Sequence, residues 1–109
     1  MKKTDPRLEI VRQNLRVAFA LKKTSAAEVS KKAGLGINTL GTFVNGNGSI
    51  SYTNLLRVCD ELQIPIGILH ISGSVTPGRL ELQGAFDKLT ADQLADLLLE
   101  MKHLQLKKA

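Results

Sequence analysis

The 109-residue sequence predicts an all-α protein, and three observations lead to that class. Apolar residues recur at three- and four-residue spacings along most of the chain, which is the period of a helix face packed on a core. Helix-start patterns precede these stretches: S-x-x-E at Ser25, T-x-x-Q at Thr90, and a proline after a capping residue at Pro6 and Pro77. Aromatic residues make up only 4% of the chain and Trp is absent, so Leu, Ile, Val and Ala must build the core, as in small helical bundles.

The first helix is expected to begin after Asp5. Asp5 can cap it, and Pro6 at the first helical position loses no hydrogen bond because its N–H would be unpaired there anyway. An apolar face then continues to about Lys23. It is formed by Leu8, Val11, Leu15, Ala18 and Leu21.

The stretch from Ser25 to Gly46 predicts two short helices joined by a turn. Ser25 and Glu28 form a capping box, in which the side chain of each accepts a hydrogen bond from the amide of the other. Gly34 supplies the left-handed backbone that ends the first of these helices. The apolar side of the second helix is formed by Leu35, Leu40 and Phe43, and its end by Asn45-Gly46. This layout is that of a helix-turn-helix.

Five elements of the same stretch carry a resemblance to a known family: Ser25, Glu28, Ala33-Gly34, Thr39-Leu40 and Asn45-Gly46. They stand at the spacing of the Cro and lambda-repressor (XRE) type of helix-turn-helix regulator, and the resemblance covers roughly residues 8–70. It implies a five-helix lambda-repressor-like DNA-binding domain followed by two C-terminal helices. The fourth and fifth helices would be Tyr52 to Leu62 and Pro65 to His70.

The resemblance also implies a function. A protein of this family is expected to be a sequence-specific, double-stranded DNA-binding transcriptional regulator of bacterial or phage type, cytoplasmic and associated with the nucleoid. By default it is a repressor that binds a pseudo-palindromic operator as a homodimer, with no cofactor. An alternative stays open, because the chain has no Asp, Glu, Lys or Arg from Leu35 to Leu56. That uncharged face would also suit a protein-interaction adaptor or an antitoxin-like partner.

The second helix of the motif would read base edges. By the pattern of the family, its outward side carries Ile37, Asn38, Thr39, Gly41 and Thr42. Asn38 can pair with adenine N6 and N7, while Ile37 and the Thr42 methyl can touch a thymine methyl group, so A·T pairs are the expected preference. Gly41 weakens a helix, which indicates either a close backbone approach, for instance to DNA, or simply a tolerated glycine.

Phosphate contacts are expected from side chains around the two helices. They are Lys22, Lys23, Ser25, Lys31, Lys32, Asn45 and Asn47. The family commonly has Gln where this chain has Ala26, and often Arg where it has Phe19, so two phosphate contacts of the family are missing and Lys22 and Lys23 can compensate. For Asn45 and Asn47 turn chemistry is the alternative reading.

Positive charge is concentrated at the N-terminal end. The first 23 residues carry seven Lys or Arg against two Asp or Glu, which gives +5, equal to the net charge of the whole chain. The basic arm of residues 1–7, which includes Lys2 and Lys3, the first helix, and Lys31 or Lys32 are therefore candidates to drive non-specific DNA affinity. The alternative is that these charges only keep a small protein in solution.

Beyond the five-helix domain, residues 71–79 are expected to form a connector and residues 80–109 a helical dimerisation segment. The last helix starts at the capping box of Thr90 and Gln93 and carries a leucine-rich stripe. This stripe, the expected dimer interface, consists of Leu94, Leu97, Leu98, Met101 and Leu104. The alternative is that the helix folds back over its own domain.

Catalysis, metal binding and a membrane span are not expected. His70 and His103 have no partner at a known metal-ligand spacing. The chain lacks a run of about 18 apolar residues, and its basic N-terminus lacks the apolar stretch of a signal peptide. The single cysteine, Cys59, cannot form an internal disulfide and is expected to be packed in the core.

Overall fold

The computed structural model describes residues 5–108, and the side chains of residues 5–106. Over this range the chain is all-helical, without strands, as predicted. The helices are α1 (Pro6–Leu21), α2 (Ala26–Lys32), α3 (Thr39–Val44), α4 (Tyr52–Leu62), a 3₁₀ helix (Ile66–His70), α5 (Pro77–Asp87) and α6 (Ala91–Lys108). None of these helices is long and apolar enough to cross a membrane. Lys2 and Lys3 of the expected basic arm lie outside the described residues.

Helix α1 begins and ends through local hydrogen bonds. The Asp5 carboxylate accepts from the Arg7 amide at 2.9 Å, and Pro6 occupies the first turn, which confirms the predicted start. At the other end Lys23 adopts a left-handed conformation with φ of 54°. The amide of Lys23 donates to Ala20 and that of Thr24 to Phe19, which is the pattern of a Schellman cap. Such a position usually holds glycine, because side chains are strained there.

The first of two compact units extends from Met1 to Pro77 and holds the hydrophobic core. Helix α1 packs on α3 and on the 3₁₀ helix, while α2 packs on α3 and α4. The residues that fill the interior are mostly aliphatic: Val11, Leu15, Ala18, Val29, Leu40, Phe43, Leu55, Val58, Leu62 and Leu69. Cys59 is buried among them, and burial, together with the nearby charge of Asp60, raises its thiol pKa to about 11. The predicted packing role of Cys59 is therefore confirmed.

A buried amide ties the 3₁₀ helix to α1. The Asn14 side-chain nitrogen donates to the Leu69 carbonyl at 2.8 Å and to the Ile71 carbonyl at 3.0 Å. The expected connector contributes to the same core: Ser74 and Val75 are buried, and the Ser74 hydroxyl donates to the Ile68 carbonyl. The first unit therefore continues beyond the end of the 3₁₀ helix.

The second unit, Gly78–Ala109, contains nearly all of α5 and all of α6. The predicted capping box at the start of α6 is present in both directions. The Gln93 amide donates to the Thr90 hydroxyl at 3.2 Å, and the Thr90 amide donates to the Gln93 carbonyl oxygen at 2.9 Å. No described side chain of this unit is buried. Two short helices of this kind lack the interior that normally stabilises a folded domain.

Candidate nucleic-acid interface

The first helix of the motif, α2, has one of the two hydrogen bonds of its predicted capping box. The Ser25 hydroxyl accepts from the Glu28 amide at 3.2 Å. The return bond from Glu28 to the Ser25 amide was expected but does not form. The Glu28 carboxylate instead accepts from the Thr24 hydroxyl and pairs with Lys32, each at 3.1 Å, and these hydrogen bonds lower its pKa. The Glu28 carboxylate thus lies between the Thr24 and Lys32 side chains on the surface of α2.

A turn centred on Gly34 separates α2 from α3. Gly34 has φ of 79°, as its predicted role requires, and a Cβ there would be strained. The prediction that Leu35 belongs to the second helix was wrong: α3 begins at Thr39, and Leu35 lies half-buried in the turn. The Leu35 amide donates to the Ser30 carbonyl at 2.8 Å, which keeps this residue with α2.

The N-terminal end of α3 is fixed by a buried hydroxyl that sequence reasoning missed. Ser30 on α2 is fully buried, and its side-chain oxygen accepts from the Leu40 amide at 3.1 Å. The first amides of a helix have no partner within the helix, so this bond satisfies one of them from outside. Ser30 looks like an ordinary helix serine in the sequence, and only the packing of α2 on α3 reveals the contact.

The C-terminal end of α3 is held by Arg12, a second residue whose role the sequence did not reveal. Arg12 is 1% exposed. Its Nε donates to the Phe43 carbonyl at 2.7 Å, one terminal nitrogen donates to the Gly48 carbonyl at 2.9 Å, and the guanidinium lies 4.8 Å from the centre of the Phe43 ring. The carbonyl end of a helix carries partial negative charge, so a buried cation is well placed there.

Much of the positive charge of α1 is therefore directed inward or paired. The first helix is a predicted source of DNA affinity, but within it the Arg12 guanidinium is buried against α3 and is not available to phosphate. Arg16 donates to the Val44 carbonyl and pairs with Glu9 at 3.2 Å, so it also braces the end of α3. Arg7 pairs with Asp5 at 2.6 Å, which lowers the pKa of Asp5 to about 2.

The predicted base-reading residues fall into two groups. Ile37, Asn38 and Thr42 are exposed, and Ile37 has 60% of its surface accessible. Asn38 is the N-cap residue of α3, yet its side chain makes no capping bond and has no partner among the described residues. Thr39 and Gly41 are half-buried. Among the described residues at the start of α3, Asn38 thus offers an exposed side-chain amide without a hydrogen-bond partner.

The residues predicted to contact phosphate are exposed, but they do not form one cluster. Lys22 and Lys32 line a cavity of about 150 Å³ beside Glu61 and Gln63 at the end of α4, and no residue of α3 lines it. Lys23 and Lys31 are exposed, while Ser25 is engaged as a cap. Asn45 is the C-cap of α3, and the backbone N–H of Asn47 donates to the Thr42 carbonyl at 3.1 Å. Both residues are exposed, and neither bond uses their side-chain amides.

Among the described residues, no group of three or more His, Cys, Asp or Glu side chains could hold a metal ion.

The sequence model of one family, described as the Cro/C1-type HTH DNA-binding domain, matches residues 14–69. None of the curated proteins or solved structures compared with the chain matches it significantly. The matched residues contain the α2–turn–α3 motif, Ser30 and the whole uncharged segment. The chain therefore belongs to the Cro/C1-type helix-turn-helix DNA-binding family, and its fold and family are those that the sequence predicted.

Proposed function

We propose that this DNA-binding regulator is a repressor that binds a pseudo-palindromic operator as a homodimer. One observation carries the proposal: α3 is fixed at both ends by buried hydrogen bonds, from Ser30 and from Arg12, while the Asn38 amide at its start is exposed and unpartnered. A reading helix needs such a fixed position, because base-edge hydrogen bonds tolerate little displacement. The regulator, bound to its operator on the nucleoid, would repress transcription by blocking the access of RNA polymerase.

The chemistry of the exposed side chains favours A·T pairs. Asn38 can donate to adenine N7 and accept from N6 in a bidentate pair, and Ile37 and Thr42 offer apolar contact to thymine methyl groups. Arg-to-guanine readout is unavailable from α3, because the segment 35–56 has no charged residue. Membership of the Cro/C1-type family favours DNA over a protein as the ligand of this uncharged face.

Phosphate binding would come from uncharged and charged groups around α3. Lys23, Lys31 and the amides of Asn45 and Asn47 are exposed, and the N-terminus of α2 offers amides and a positive dipole end. Lys22 and Lys32 would add a longer-range attraction. Because Arg12 is buried, fewer counterions would be released than the sequence charge suggests.

DNA binding should show both a sequence preference and a salt dependence. Selection from a random duplex pool is expected to enrich an A·T-containing pseudo-palindrome with half-sites about 34 Å apart. Affinity for the selected site should fall as salt rises. The slope of log affinity against log salt concentration gives the number of phosphates that the protein neutralises. If no duplex is enriched at low salt, the regulator proposal fails and the adaptor or antitoxin-like alternative is the one that remains.

Gly41 offers a test of how closely α3 approaches DNA. A Cβ built at Gly41 would lie 3.9 Å from the Ala26 Cβ, which is ordinary contact, so nothing in the protein requires glycine there. Gly41→Ala is expected to raise the free energy of unfolding by about 1 kcal/mol and to weaken operator binding, if the backbone approaches DNA at this point. Urea unfolding and a DNA titration of the same variant measure the two effects. Unchanged affinity would make Gly41 a merely tolerated residue.

Dimerisation would use the exposed leucine-rich stripe of α6. Leu98 and Met101 are 53% and 47% exposed and line an apolar groove in the second unit. Replacing both by aspartate is expected to convert a dimer to a monomer in sedimentation and to weaken operator binding, because two charges would have to enter the interface. Leu106→Asp is the matched control, since Leu106 is 72% exposed and does not line the groove. A monomeric wild-type chain at all concentrations would refute the dimer and would favour a helix that covers its own domain.

A further inference from the structure

Helix α3 begins differently from α1, α2 and α4. Asp5, Ser25 and Ser51 are the N-cap residues of those three helices, and each has an extended backbone and a side chain that accepts from an amide of its own helix. Asn38, the N-cap residue of α3, has φ of −98° and ψ of −3°, and its side chain makes no such bond. The start of α3 therefore lacks the local cap that the other three helices have.

The backbone of Asn38 is instead part of a turn. The Thr39 amide donates to the Gly36 carbonyl at 3.0 Å, and Asn38 is the third residue of the turn that this bond closes. Its φ and ψ match the values of about −90° and 0° for that position of a type I turn. An N-cap residue that bonds its own helix usually has an extended backbone, so the turn keeps Asn38 out of the capping conformation.

Ser30 supplies the missing cap from α2. Its side chain is fully buried, and its hydroxyl oxygen accepts at 3.1 Å from the amide of Leu40, the second residue of α3. In a locally capped helix, the N-cap side chain accepts from the amide of the second or third helical residue. Ser30 thus does for α3 what an N-cap side chain does for the other helices.

A local cap by Asn38 is the competing arrangement, because asparagine is among the most favourable N-cap residues. A capping side chain has its oxygen engaged, whereas the bidentate pair with adenine needs both the oxygen and the nitrogen of the amide. We propose that Ser30 is a positioning residue for base reading: by accepting from Leu40, it releases Asn38 from capping and keeps the Asn38 amide free for DNA. The inference rests on the proposed function and adds the residue that makes its reading amide available.

Ser30→Ala in the full chain tests the proposal. Alanine is smaller than serine and favours a helix, so α2 should form, and circular dichroism checks this. Without the hydroxyl, Asn38 is expected to cap α3 itself. Discrimination against an operator in which the contacted adenine is replaced should then fall about five-fold for each half-site, the factor that an N-cap contributes. In an Asn38→Ala background the same substitution should add little further loss, because the side chain through which Ser30 acts is absent.

The matched control is Ser51→Ala. The Ser51 hydroxyl accepts from the Asn54 amide at 3.1 Å, so this variant removes the same kind of bond from α4. It should leave the preference for adenine unchanged.

Two NMR measurements on the free chain need no DNA. In Ser30→Ala, the backbone chemical shifts of Asn38 should change from those of a turn to those of an extended residue, since capping requires that conformation. In the wild-type chain, the Leu40 amide should exchange its hydrogen with solvent far more slowly than an unbonded amide, because Ser30 holds it in the interior.

The possible results separate the role of Ser30 from the reading of DNA. An equal loss of affinity for all duplexes in Ser30→Ala, with unchanged chemical shifts of Asn38, would make Ser30 a purely structural residue and overturn the proposal. Fast exchange of the Leu40 amide in the wild-type chain would overturn it without any variant. If the wild-type chain enriches no operator, the proposed function fails, and the two NMR measurements still decide whether Ser30 replaces the local cap.

Discussion

Replacing Arg12 by methionine is expected to lower the free energy of unfolding by about 3 kcal/mol. The change removes two hydrogen bonds from a charged donor: the Phe43 carbonyl keeps the bond from the Gly46 amide, and the Gly48 carbonyl loses the guanidinium. A hydrogen bond to a charged group contributes roughly 1.5–3 kcal/mol. Contact of the guanidinium with the Phe43 ring is lost as well. Urea unfolding followed by circular dichroism measures the loss, which corresponds to a decrease in Tm of about 15 °C.

Two further variants show whether the geometry of the Arg12 guanidinium is responsible for this contribution to stability. Arg12→Lys keeps the positive charge but cannot supply the planar fork that reaches two carbonyls, so an intermediate loss is expected. Arg7→Met removes an exposed arginine of the same helix and should change stability little. If Arg12→Met unfolds with less than about 1 kcal/mol of lost stability, the carbonyl end of α3 is held by other contacts and the assigned role is wrong.

Replacing Asn38 by alanine is expected to weaken operator binding at least about 30-fold and to abolish the preference for adenine at one position of each half-site. A bidentate pair between a side chain and a base discriminates by roughly 1–3 kcal/mol, and a dimer loses two such pairs, which amounts to at least about 2 kcal/mol. Stability should change little, because the Asn38 side chain makes no capping bond. Titration of the selected operator and of single-base variants, compared with wild type, measures affinity and preference separately.

The neighbouring amide Asn47 provides the contrast. Asn47→Ala removes an exposed amide that follows α3 and is proposed to contact phosphate, so it should weaken binding to all sequences about equally and leave the preference unchanged. A loss of specificity in Asn47→Ala, or full retention of specificity in Asn38→Ala, would show that another side chain reads the base.

Helix starts and turns were predictable because their causes are local. Ser25 accepts from Glu28, Ser51 from Asn54, and Thr90 and Gln93 bond each other, each pair being three residues apart. The bounds of α4, which the family resemblance implied, also agree with the structure. Gly34 takes the left-handed conformation that its place between two helices requires. Interactions of this range are visible in the order of residues, without knowledge of the fold.

The start of α3 was predicted less well because a longer-range contact decides it. Leu35 continues the apolar pattern of α3 in the sequence, yet its amide bonds back to Ser30 and the helix starts four residues later, at Thr39. The Ser30 hydroxyl then bonds to Leu40, ten residues away. Apolar spacing cannot distinguish a half-buried turn residue from the first residue of a short helix.

The sequence determined that the chain is all-α, since helix caps, glycine turns and apolar periods act over three to five residues, and its resemblance to the Cro/C1-type family is confirmed. The assignment of base reading to residues near Asn38 stays a prediction. The roles of the chain's charges required the tertiary structure. Arg12 and Asn14 look like surface residues of a polar helix face, but they bond carbonyls 31 and 55 residues away. Only the packing of α1 on α3 and on the 3₁₀ helix brings those carbonyls within reach. Each carbonyl oxygen has two lone pairs and can accept from a side chain, which makes an inward-facing arginine and asparagine favourable.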